Sequence, residues 1–185
     1  LRKRFKYYDF QRIEFKYVQA IIDKSVAQLN PDYFGQSQLK QNFSQLGYSF
    51  SYDFRDFINY PLRGIKLDIG FTKFGIFQHD QVDFWEAFSS AAYFFDLGNR
   101  FFIATHAKVK FSRDTYIPYA NQRGFGYAND NVRGYELNVI DGTGFFLWRN
   151  TAKFQLFSKI LHVPFIPYKQ INQIPIAIYP TAFAD

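Results

Sequence analysis

The chain of 185 residues contains no cysteine. Disulfides and thiolate metal sites are therefore excluded. It contains no methionine either, so there is no initiator, and no signal peptide stands at Leu1. No apolar run approaches the ~18 residues that a membrane-crossing helix needs. After Arg2-Lys3-Arg4 there is no block of basic residues. The net charge of +6 and pI near 9.4 permit an anionic partner, but the scatter of Lys and Arg argues against nucleic acid. Catalytic groupings are missing too. His79, His106 and His162 stand in separate segments without ligand spacing. There is no Gly-x-Ser-x-Gly elbow. Gly124-Phe125-Gly126 lacks the Lys and following helix of a phosphate loop. The reading is a protein without enzymatic activity, metal or cofactor.

What the chain has is aromatic residues, 25 Phe and 14 Tyr among them. Aromatics favour strands and gather at membrane interfaces. The mean hydropathy of −0.26 does not oppose a membrane. A barrel strand needs an apolar surface on one face only.

The alternation is clearest at 46–54. Leu46, Tyr48, Phe50, Tyr52 and Phe54 are large and apolar, while Gly47, Ser49, Ser51 and Asp53 are small or polar. This is period two over about the length that crosses the hydrocarbon layer as a tilted strand. A turn with Pro61 and Gly64 follows. Ile65, Leu67, Ile69 and Phe71 then alternate with Lys66, Asp68, Gly70 and Thr72. Segments 84–95 and 101–111 read as a hairpin about a Gly98-Asn99 turn. In its second arm Phe101, Ile103, Ala107, Val109 and Phe111 oppose His106, Lys108 and Lys110. The first arm is less clean, because Phe84, Phe88 and Phe94 share a face with Glu86 and Ser90. Further strands are expected at 12–18, 145–157 and 174–185, with a polar loop at 30–41 and a Pro-rich turn at 163–167. A long loop at 112–144 carries Arg113, Arg123 and Arg133, and such loops are usually functional or disordered. Trp85 and Trp148 are read as girdle residues.

The pattern predicts an all-β fold, an antiparallel transmembrane β-barrel of which about seven strands are present, with no helix. Seven strands with two open edges leave backbone groups unpaired in lipid. The chain is therefore read as an internal part, residues 1–185, of a single barrel domain in a longer protein.

Three motifs then carry a resemblance. The first is Tyr52-Asp53-Phe54-Arg55-Asp56 followed by Tyr60-Pro61-Leu62-Arg63-Gly64. The second is Val132-Arg133-Gly134-Tyr135. The third is Ala182-Phe183-Ala184-Asp185. In this order they resemble the BamA/TamA-type family of outer-membrane assembly and translocation barrels. The resemblance implies a sixteen-stranded barrel whose POTRA domains and final strands lie outside this chain. It implies a Gram-negative outer membrane and a function in inserting and folding β-barrel proteins. Its partners would be outer-membrane lipids, unfolded outer-membrane protein clients and accessory lipoproteins or other complex subunits. It also implies that the loop folds into the lumen, where Arg133 pairs with Asp185 beside Phe183 and Gly134 permits a tight turn. Asp53, Arg55, Asp56, Pro61 and Gly64 form the strand–turn motif, read as charge pairing at a strand end. Many members carry a Glu in the strand after the loop. Here Asn150-Thr151-Ala152-Lys153-Phe154-Gln155 has none, so the resemblance supplies no second acidic partner for Arg133. A TamA-like or two-partner-secretion translocation barrel, or a passive porin or transporter, are the alternatives.

Overall fold

A computed structural model describes residues 2–4, 7–113, 116–127, 130–162 and 173–185. The Pro-rich turn expected at 163–167 lies outside the described residues. The strands are β1 (Arg2–Arg4), β2 (Asp9–Ile21), β3 (Lys40–Arg55), β4 (Gly64–Phe74), β5 (Phe84–Gly98), β6 (Phe101–Arg113), β7 (Gly144–Phe154), β8 (Phe157–His162), β9 (Gln173–Ile178) and β10 (Thr181–Ala184). One antiparallel sheet runs β1-β2-β3-β4-β5-β6-β7-β10, and β8 pairs with β9. The sheet is not closed, so β1 and β10 are its edges. Among the described residues no helix is long and apolar enough to cross a membrane, which says nothing about crossing by strands.

Register follows the alternation. Tyr48 lies between Ile13 and Phe71, and Phe71 faces Ala87 across the next ladder. Directly paired residues share a face. One face therefore carries Ile13, Phe15, Tyr17, Leu46, Tyr48, Phe54, Ile69, Phe71, Tyr93, Phe95, Phe101, Ile103, Val109, Phe111, Phe146 and Trp148, all of them exposed. An apolar surface of this extent has to be covered by something other than water. The opposite face carries Arg12, Glu14, Lys16, Lys66, Asp68, His106, Lys108, Lys110 and Arg149.

Phe84, Phe88 and Phe94 lie on this second face. Phe84 stacks on Phe74 at 4.2 Å between ring centroids and joins Phe43, Val82 and Ile117 in a small core. Phe84 breaks the alternation of β5 because this part of the polar face is itself covered, by Val82 of the 75–83 connection and Ile117 of the long β6–β7 loop. Trp85 sits among Phe71 and Phe111 near the loop end of the exposed face, whereas Trp148 pairs with Ala107 midway along the wall.

The ends of the sheet differ. The connections are eight and two residues at one end (56–63 and 99–100) and eighteen, nine and thirty at the other (22–39, 75–83 and 114–143), so the first is the short-turn end as a whole. Asn99 and Arg100 both have positive φ (51° and 69°), the geometry of a type I′ hairpin turn.

Three expectations are corrected. A helix does form, α1 (Lys24–Leu29), started by Asp23 accepting from the Ser25 amide at 2.9 Å. It is too short to show a helical period. β3 begins at Lys40, inside the segment read as loop. The strands read at 145–157 and 174–185 each divide, at 155–156 and at 179–180. Lys153 pairs with Thr181 and Phe157 with Ile178, so one extra residue lies on the β7 side. That is a β-bulge.

Candidate functional site

The β6–β7 loop lies against the polar face of the wall. Lys108 Nζ reaches both Asp130 oxygens at 2.5 and 2.7 Å. Lys110 Nζ donates to the Arg123 carbonyl at 3.0 Å. Phe125 packs on Phe145 at 4.7 Å, and Arg149 donates to the Asn131 carbonyl. Inside the loop the hydroxyls of Tyr119 and Tyr127 donate to Asp141. Those bonds hold the Asp141 carboxyl below its ordinary range and push the Tyr127 hydroxyl up to about 12.

Arg133 sits where the loop meets β7 and β10. Its backbone amide donates to Asp185 Oδ2 at 3.0 Å. Its Nε reaches the same carboxylate at 2.9 and 3.0 Å, and its Nη2 donates there too. The guanidinium carbon lies 4.3 Å from the centre of the Phe183 ring. Charge-assisted forks and cation–π stacking are the contacts a planar guanidinium makes best. Nη1 donates to Thr151 Oγ1 at 2.8 Å and Nη2 to the Asn150 carbonyl at 2.9 Å. The Asp185 side chain is only 3% exposed. Ladder parity explains the meeting: Phe183 pairs with Thr151, so both share the polar face with Arg149.

The rest of the loop motif makes the turn. Tyr135 N donates to the Val132 carbonyl at 3.0 Å, and Gly134 has φ of 88°. Positive φ at the third position of a four-residue turn requires glycine or asparagine. The Tyr135 side chain is exposed.

The strand–turn motif lies at the short-turn end. Arg55 grips Asp53 with Nε and Nη2, both at 2.7 Å, and Nη1 donates to the Ile58 carbonyl at 3.2 Å. Asp56 Oδ1 accepts from the Phe57 and Leu62 amides at 2.8 and 3.0 Å, which closes the turn. Gly64 has φ of 114°, and a Cβ there would stand 2.0 Å from the Phe54 carbonyl oxygen. Pro61 offers its carbonyl to Lys153 Nζ at 3.1 Å, and that ammonium stands 3.9 Å from the Tyr60 ring centre. A cavity of about 310 Å³ lies beneath, lined by Tyr60, Pro61, His106, Arg133, Arg149 and Lys153 among others. The motifs around Pro61 and Arg133 thus border one space.

Sequence reasoning missed Thr151, the Asn150 carbonyl and Lys153. Their position on the loop-covered face depends on the register of β7 against β6 and β10. Alternation through Phe145, Leu147, Arg149, Thr151 and Lys153 was the available signal.

The family model for the Omp85 superfamily domain matches residues 2–150. The chain belongs to the Omp85 superfamily. The match includes Arg133 and stops before Phe183 and Asp185. The crystal structure of BamA from Haemophilus ducreyi lacking POTRA domains 1–3 matches with a TM-score of 0.52 at 12% identity. The match covers 97% of this chain and 39% of that one. At this identity the likeness is one of fold: an antiparallel barrel wall of the Omp85 type. No curated protein matches the chain.

Proposed function

We propose that this Omp85 chain is a stretch of barrel wall, residues 1–185 within one barrel domain, from a factor that inserts and folds β-barrel proteins in a Gram-negative outer membrane. The observation that carries the reading is the loop held on the polar face of the wall through Arg133, Asp185 and Phe183. That anchor joins two of the three motifs on which the resemblance to assembly barrels rests. In this reading the exposed aromatic face meets outer-membrane lipid and the loop-covered face is the lumen. Arg133 acts as the loop's anchor, and Asp53, Arg55, Asp56, Pro61 and Gly64 shape the turn that borders the same cavity. The work is non-covalent: unfolded client strands add to an opened edge, as in other β-augmentation. No cofactor enters it, and accessory lipoproteins or other subunits are the expected company.

The experiment is depletion of the full-length protein. Loss of assembled β-barrel proteins from the outer membrane, with their unfolded forms accumulating in the periplasm, is the expected result. Unchanged barrel proteins together with loss of one exported substrate would instead favour a TamA-like or two-partner-secretion translocation role. Loss of small-solute uptake alone would favour a porin.

A further inference from the structure

Past Phe154 the wall does not end at its rim. β8 and β9 prolong it at the short-turn end through six residue pairs, from Phe157 opposite Ile178 to His162 opposite Gln173. At about 3.3 Å per residue this ribbon extends roughly 20 Å. Short turns mark the periplasmic end of an outer-membrane barrel.

The faces of the ribbon follow from the ladder. Ala182 and Ala184 of β10 pair with Ala152 and Asn150, which share the exposed face with Trp148. Tyr179 packs at 5.3 Å from Tyr60 and 6.2 Å from Phe102, on the polar side. Even-numbered residues of this strand therefore point outward, and Ile178, Ile176 and Ile174 continue the exposed face. Phe157, Lys159 and Leu161 stand opposite them. The bulge at 155–156 is what turns these three outward. Without the extra residue Leu156, Ser158 and Ile160 take that side. Phe157, Leu161, Ile174, Ile176 and Ile178 are each between 39% and 52% exposed. The opposite face pairs Ser158 with Ala177 and Ile160 with Pro175. Phe101 and Phe154, 4.7 Å apart, form the last ring pair of the wall directly before Phe157.

We propose that the β8–β9 ribbon is a lipid-binding element, its outer face lying against phospholipid of the periplasmic leaflet. The inference rests on the membrane-wall reading above. The apolar face of the ribbon follows the face that the wall gives to lipid, from Phe154 across the Gln155-Leu156 bulge to Phe157. Among the described residues Lys159 is its one cation. A lysine stem lies along apolar surface while its ammonium reaches a phosphate. A two-stranded ribbon is marginal alone in water, and lipid supplies the missing packing surface.

The test uses the full-length protein in vesicles of phosphatidylcholine and phosphatidylglycerol with brominated acyl chains. In a background in which every tryptophan of the full-length protein, Trp85 and Trp148 among them, is phenylalanine, single tryptophans are placed by Ile176→Trp, Ile178→Trp or Ala177→Trp. The same background with Trp148 kept reports on the wall. The expected result is loss of emission from the probes at 176 and 178, as for Trp148, with little loss at 177. Quenching of Trp148 with none at 176 and 178 overturns the lipid assignment while leaving the barrel intact, and means that protein or water covers the ribbon. Equal quenching at 176 and 177 overturns the assignment of faces. An unquenched Trp148 removes the membrane-wall reading itself.

Discussion

Replacing Arg133 by alanine takes the cation from the Asp185 carboxylate, which is 3% exposed beneath that guanidinium, and leaves it the backbone amide of residue 133. Removing one member of a buried pair costs about 3–5 kcal/mol, because the survivor stays charged and desolvated. Arg133 itself is 27% exposed, and water screens that side. The truncation also opens Asp185 to water, so the cost falls below that range, about 2.5 kcal/mol. Asp185→Ala removes the charge but leaves the guanidinium its bonds to Thr151 and the Asn150 carbonyl, so it costs less, about 2 kcal/mol. The double variant costs little more than Arg133→Ala alone, giving a coupling of about 2 kcal/mol. The assay is urea unfolding of the full-length protein in lipid, followed by its heat-modifiable gel migration. Costs that add, each below about 0.5 kcal/mol, would mean a solvated surface pair and would refute the anchoring argument.

Other changes test neighbouring contacts. Lys153→Met loses the bond to the Pro61 carbonyl and the Tyr60 ring contact, lowering stability by about 1–2 kcal/mol in the same assay. Protease access to turn 56–63 should rise with it, and Lys153→Arg should restore protection. Gly134→Ala places a side chain at φ of 88°, costing about 1–2 kcal/mol, and limited proteolysis should then cut the β6–β7 loop. The Asp141 carboxyl is held below its ordinary value of 3.8, so its contribution is whole above that pH and fades as acid protonates it. Tyr127, raised to about 12, contributes fully below its ordinary value of 10.0 and loses that as pH rises through about 12. Hydrogen-exchange protection of 130–141 should therefore be flat through neutrality and fall at both extremes; Tyr127→Phe should weaken the alkaline limb, and only with Tyr119→Phe beside it should that limb disappear, since Tyr119 is raised by the same carboxylate.

Legibility varied with how local each signal was. β3 over 46–54 and β6 over 103–111 were readable because the large apolar residues of those stretches fall on one face and small or polar ones on the other. β5 was not, since Phe84 fills a core that Ile117 reaches from a distant loop. The bulge at 155–156 is defined by the partner strand, and nothing local in Gln155-Leu156 announces it. Helix α1 spans less than two turns and rests on its cap rather than on periodicity. The meeting of Arg133 with Asp185 was expected through family resemblance. Charge and spacing alone leave Arg133 one loop arginine among several. Thr151 completes the site only once β7 and β10 are in register.

The central claim is that loop anchoring on this wall serves the folding of other barrel proteins. The most direct measurement is the folding rate of an unfolded outer-membrane protein added to vesicles containing the full-length protein. Wild type should accelerate folding over empty vesicles, and Arg133→Ala should lose most of that acceleration while remaining inserted. An inserted, intact wild-type protein that leaves the rate at the empty-vesicle value would contradict the account.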